Sequence, residues 1–84
     1  MVSAMGDYIC FHTANQKYVV KSSMKGIIKH LPANGFIRIH QSFIVNVDKI
    51  TVINFADCVV NNETIPISRV NRKKLLDRIK ILGF

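Results

Sequence analysis

Phe36-Ile37-Arg38-Ile39-His40-Gln41-Ser42-Phe43-Ile44-Val45-Asn46-Val47-Asp48-Lys49-Ile50 is the stretch that decides the fold. Two apolar runs, Phe36 to Ile39 and Phe43 to Val47, flank a polar knot of His40, Gln41 and Ser42. Short runs rich in aromatic and β-branched residues, broken by polar side chains, read as strands joined by a turn. An imidazole, an amide and a hydroxyl beside Arg38 can hydrogen-bond to phosphates and base edges from a rigid scaffold.

The same texture extends outward. Tyr8 to Thr13 and Lys17 to Lys21 read as strands, with Ala14-Asn15-Gln16 as their turn. Between Lys21 and Phe36 the period changes. Met24, Ile27, Ile28 and Leu31 are three or four residues apart, which predicts a helix over Ser23 to His30. Ser22 or Ser23 is placed to cap it. Pro32 disfavours helical geometry at Leu31, Gly26 weakens the helix, and Pro32 to Gly35 reads as a loop.

Towards the C-terminus, Lys49 to Phe55, Cys58 to Asn61 and Glu63 to Ile67 read as strands. Asn54-Phe55-Ala56-Asp57 and Val60-Asn61-Asn62-Glu63 are their turns. After Ser68 the helical period returns, with Leu75, Leu76, Ile79 and Leu82 on one face. Ser68 or Asn71 is placed to cap this helix, and Gly83 to end it. The chain therefore reads as mainly β, with short strands, one short internal helix and a C-terminal helix.

Composition narrows the function. Eighty-four residues make one domain, 1–84, with a modest core and little room for an elaborate cleft. Lys and Arg outnumber Asp and Glu twelve to five, which favours a polyanionic partner. No apolar run approaches the roughly 20 residues that span a bilayer, and the N-terminus does not read as a signal peptide. A cytoplasmic protein without a membrane partner is expected. Cys10 and Cys58 lie far apart inside apolar runs and read as buried free thiols; redox sensing would need an exposed thiolate.

Enzyme chemistry is not supported. His40, Ser42 and Asp48 contain the residue types of a hydrolytic triad, but no strand-turn-helix elbow surrounds Ser42. His12, His30 and His40 show no ligand spacing with the cysteines, and the glycines are scattered rather than forming a phosphate loop. We expect no catalysis, metal or cofactor. Basic residues form three groups: Lys21, Lys25 and Lys29; Arg38 beside the knot; and Arg69, Arg72, Lys73 and Lys74. Lys29, Arg78 and Lys80 read as ordinary solvated charges. Lys25, Arg38, Arg69 and Arg72, with hydroxyls and amides nearby, read as phosphate or base contacts. His40 points away from Gln41 if both lie on a strand, and reads as a partly buried side chain that holds the turn. Asn46 reads as a turn-stabilising amide.

The central stretch closely resembles the signature of the LytTR family, the DNA-binding domain of LytR- and AgrA-like bacterial response regulators. The resemblance covers nearly the whole chain. Gly6-Asp7-Tyr8-Ile9 looks like the entry to that family's second strand. Ser22-Ser23-Met24-Lys25 with Ile27, Ile28 and Leu31-Pro32 looks like its helix, and Ile65-Pro66-Ile67-Ser68-Arg69 like its last strand and basic turn. Val2-Ser3-Ala4 resembles only the tail of its first strand, so a domain lacking most of that strand is expected.

The resemblance implies short antiparallel strands in stacked sheets, with the first helix lodged between two of them. It implies that loops and turns, not a recognition helix, enter successive grooves of duplex DNA. The base-reading candidates it gives are Asp7, Gln41, Arg69 and Arg72. The phosphate candidates are Ser22, Ser23, Lys25, Arg38, Ser42, Asn71 and Lys73. Two departures bear on specificity. Asp7 is acidic and can at most accept from a cytosine amine. Val70 stands where relatives often carry an Arg.

The leading expectation is sequence-specific binding of promoter DNA, as a direct repeat held by two copies, under a receiver or sensor module outside this chain. The alternative is a small basic RNA-binding β domain. Against it, Phe11, Tyr18, Phe36, Phe43 and Phe55 look committed to the core rather than free to stack on bases. A third reading is self-association through an exposed sheet edge.

Overall fold

The computed structural model describes residues 1–13, 15–32 and 35–81. They form eight strands and two helices: β1 (Val2–Met5), β2 (Tyr8–His12), β3 (Lys17–Lys21), α1 (Met24–Ile28), β4 (Phe36–His40), β5 (Phe43–Asn46), β6 (Ile50–Ile53), β7 (Asp57–Val60), β8 (Glu63–Pro66) and α2 (Arg69–Ile81). A five-stranded sheet has the order β3-β2-β1-β5-β4, and a three-stranded sheet the order β6-β7-β8. Every strand pairing is antiparallel. The fold class is the one expected from the sequence.

Alternation of side chains builds two cores on opposite faces of the larger sheet. On one face Val2, Ile9 and Ile44 pack with Met24, and Phe11, Phe36, Ile27, Ile28 and Leu31 close around them. On the other, Ile37, Ile39, Val45 and Val47 meet Cys58, Val60, Ile65 and Ile67 of the small sheet and Leu75 of α2. The resemblance implied a helix between two sheets. Here β1 and β5 pair through Val2↔Ile44 and Ser3↔Phe43, which joins the two wings into one sheet with α1 on its face.

Turn chemistry sets the hairpins. Gly6 (φ 59°) opens the two-residue β1–β2 turn, a place where only the first central residue needs positive φ. Asn61 and Asn62 both have positive φ in the β7–β8 turn, as a type I′ hairpin requires. Asn46 accepts from the Asp48 N–H at 3.0 Å and caps a 3-10 turn at Val47–Lys49, so β6 starts at Ile50. Asn46 is thus the turn-stabilising amide expected.

Several expectations need correction. α1 stops at Ile28 rather than His30, and Ser23, not Ser22, caps it, accepting from Gly26 N at 3.1 Å. A Cβ at Gly26 would lie 3.2 Å from that Ser23 Oγ, so the helix-weakening glycine leaves room for the cap. Among the described side chains of α2, Leu75 and Ile79 pack into the core, while Leu76 is exposed. Phe11, Phe36 and Phe43 pack against the cores, but Phe55 is 80% and Tyr18 53% exposed. These two aromatics therefore give no argument against RNA. Cys10 and Cys58 are buried free thiols, and burial, helped by Asp57, pushes the Cys58 thiol up, away from the reactive thiolate. Ala14 of the β2–β3 turn, part of the Pro32–Gly35 loop, Leu82 and the Gly83 stop lie outside the described residues.

Candidate nucleic-acid interface

The polar knot is the β4–β5 turn, and three side chains shape it. Arg38 Nε donates to the His40 carbonyl at 3.3 Å and its Nη2 donates to the Gln41 carbonyl at 2.6 Å. The Ser42 N–H donates to His40 Nδ1 at 3.0 Å. The His40 ring also packs on Phe43, with centroids 5.5 Å apart. His40 is therefore the half-buried turn holder expected, and Gln41 is left exposed at the tip. A register shift between Arg38 and His40 bends the strand where the guanidinium reaches across.

Main-chain hydrogen bonds bring four other segments to this end of the strands. Ala4 N donates to Ser42 O at 2.9 Å, joining β1 to the knot. Ser22 N donates to Asp7 O at 3.3 Å, joining the β3–α1 link to the β1–β2 turn. Ser68 N donates to Ile39 O at 2.8 Å, and Ile67 N to Ala56 O at 2.9 Å, fixing the β8–α2 link and the β6–β7 turn. Ser68, not Asn71, caps α2: its Oγ accepts from Asn71 N at 3.3 Å and from Asn71 Nδ2 at 2.7 Å.

Two adjoining concavities result. The first, of about 620 Å³, is lined by Asp7, Lys21, Ser22, Ser23 and Lys25, and then by Arg38, Gln41 and Ser42. The second, of about 510 Å³, shares Arg38 and Gln41 and adds Ser68, Asn71 and Lys74. Lys21, Lys25, Arg38 and Lys74 face a single carboxylate there, Asp7, so an anion is favoured. A larger concavity, of about 730 Å³, lies at the other ends of the strands, where Lys17 is offset by Glu63. Its size is no guide to the site, because it lacks the convergent cations.

Most of the residues expected to contact a ligand thus share one face. Asp7, Ser22, Ser23, Lys25, Arg38, Gln41, Ser42 and Asn71 line it. Arg69 and Lys73 are exposed on α2 but line neither concavity. Arg72 lies elsewhere, its guanidinium over the Phe55 ring at 4.7 Å. Lys21 and Lys74 were not singled out from the sequence as contacts, although both belong to its basic clusters. Only pairing across turns places them beside Arg38.

The model of the LytTr DNA-binding domain family matches residues 1–80 of the chain. Among solved structures, the chain is similar to the LytTr DNA-binding domain of a methyl-accepting/DNA response regulator from Bacillus cereus. Identity is 28%, the TM-score is 0.80, and the match covers 99% of this chain and 79% of that one. No curated protein shows a significant match.

Proposed function

We propose, from the premise that the chain belongs to the LytTr DNA-binding domain family, that it binds duplex DNA sequence-specifically as the output domain of a bacterial response regulator. The observation that carries this reading is the meeting of the β1–β2, β3–α1, β4–β5 and β8–α2 segments around Arg38 and Gln41. Turn-borne polar groups backed by two packed cores suit groove reading, while the cations around them suit phosphates.

In this reading Gln41 and Arg69 reach base edges, and Asp7 accepts from a cytosine amine. Ser22, Ser23, Lys25, Arg38, Ser42, Asn71 and Lys73 serve the phosphates. The partner is promoter DNA, a direct repeat bound by two copies in the cytoplasm. Control comes from a receiver or sensor module outside this chain. No helix among the described residues is long and apolar enough to cross a membrane.

The test is a titration of duplex DNA and of single-stranded RNA of equal length over a range of salt. Four to six phosphate contacts give a log–log slope of roughly −4 to −5 for the duplex. Tighter binding to RNA at every salt concentration would reject the reading. Selection of bound duplexes from a random pool would then return the motif; two copies about one helical turn apart would establish the direct repeat.

A further inference from the structure

Phe55 stands at the β6–β7 turn and is the most exposed large apolar side chain among the described residues, at 80%. The turn beneath it is fixed. Asn54 N donates to Asp57 O at 2.8 Å, and Asn54 Nδ2 to Asp57 Oδ1 at 2.7 Å. Ala56 O accepts from Ile67 N at 2.9 Å, which ties the turn to the segment entering α2. Arg72 lies in the first turn of α2, where its N–H donates to Ser68 O at 3.0 Å. Its guanidinium carbon sits 4.7 Å from the centre of the Phe55 ring.

No acidic residue occupies the first turn of α2. Arg72 is half-buried, and its Nη1 is shielded from water without a hydrogen-bond partner. A guanidinium stacked on a ring is confined to one plane, whereas an unsupported Arg on a helix samples many rotamers. With Nη1 shielded, the Nη1–Nη2 edge is closed, and the Nε–Nη2 edge remains. What Arg72 keeps is its charge and its other N–H groups, which suit a phosphate oxygen.

We infer that Phe55 is a positioning residue that holds Arg72 against a phosphate of the bound duplex. The inference rests on the DNA-binding reading above and adds to it a residue that touches no DNA. In this reading Arg72 acts as a sequence-independent anchor, away from the concavities that Arg38 and Gln41 line.

The experiment compares the full chain with Phe55→Ala, Phe55→Tyr, Arg72→Ala and the Phe55→Ala/Arg72→Ala double variant. Fluorescently labelled preferred and random duplexes are titrated at several salt concentrations. Phe55→Ala is expected to weaken both duplexes equally, by about two- to fivefold. Phe55→Tyr restores binding, and the double variant binds no more weakly than Arg72→Ala. Arg72→Ala lowers the salt slope by about one unit. Additive losses, a loss confined to the preferred duplex, or Phe55→Ala binding like wild type would overturn the inference. So would a lowered melting temperature with unchanged Kd, which assigns the ring to folding alone. A wild-type chain that binds no duplex would overturn both this inference and the functional reading.

Discussion

The Arg38 guanidinium donates to the main-chain carbonyl of Gln41 at 2.6 Å. One side chain on the cationic face therefore also shapes the turn that carries the proposed base reader. A charge-assisted bond of this kind is roughly twice as strong as a neutral one.

Arg38 and Gln41 variants accordingly fail in different ways. Gln41→Ala should cost about 1–3 kcal/mol on the preferred duplex with an unchanged salt slope. Arg38→Ala should weaken all duplexes, lower the slope by about one unit, and also blur the preference, because the Gln41 turn loosens. Titrations on preferred and random duplexes read both effects. Intact preference in Arg38→Ala would mean that the turn does not depend on the guanidinium.

Arg69 begins α2, next to the Ser68 cap, and is exposed. An Arg fork matches guanine O6 and N7, whereas Lys offers a point charge. Arg69→Lys is expected to keep non-specific affinity and relax preference at one or two neighbouring positions. A binding-site selection that returned an unchanged motif would leave Arg69 as a phosphate anchor.

Ser23→Ala removes the α1 cap and should cost about 1 kcal/mol of stability. Ser22→Ala, which removes no cap, should melt like wild type. Denaturant melts of the two variants decide this, and equal losses would show that the cap is not specific to Ser23. A helix of five residues has little reserve against such a loss.

His12 gives stability a pH dependence. Burial, and then Lys17, hold its pKa below the usual 6.5, with Glu63 offsetting part of the shift. Protons therefore bind the unfolded chain more tightly. The stability contributed by the neutral ring is complete above about pH 6.5 and is lost as pH falls through that value towards the folded pKa. Wild type should lose more melting temperature between about pH 8 and 5 than His12→Gln does. Parallel curves would assign the dependence to other groups.

The strand pattern was legible because period-two alternation is a direct imprint of burial. In β4, Ile37 and Ile39 point into a core while Phe36, Arg38 and His40 are only partly covered. The turns were legible from Asn and Gly, whose conformational tolerance is local. The environments of Phe55, Tyr18 and Leu76 were not, because apolar residues fill cores but are not confined to them. The face containing Gln41 and Lys25 followed from a family resemblance, not from spacing. The Arg38–Gln41 bond and the approach of Lys21 and Lys74 depend on a bulge and on backbone links between turns, which no one-dimensional period encodes.

Strand β3 is exposed along its whole length and lies at the sheet edge, with Lys17 and Lys21 bracketing Tyr18-Val19-Val20. Two copies laid edge to edge, antiparallel about Val19, would set Lys17 of each against Lys21 of the other. In the parallel register, each Lys would meet its own counterpart. The bare edge is therefore guarded electrostatically against its own kind, and only while ions are scarce. At about 1 M salt the screening length shrinks to about 3 Å. The conditions that strip this protein from DNA are thus also those under which a concentrated stock loses its protection against sticking to itself.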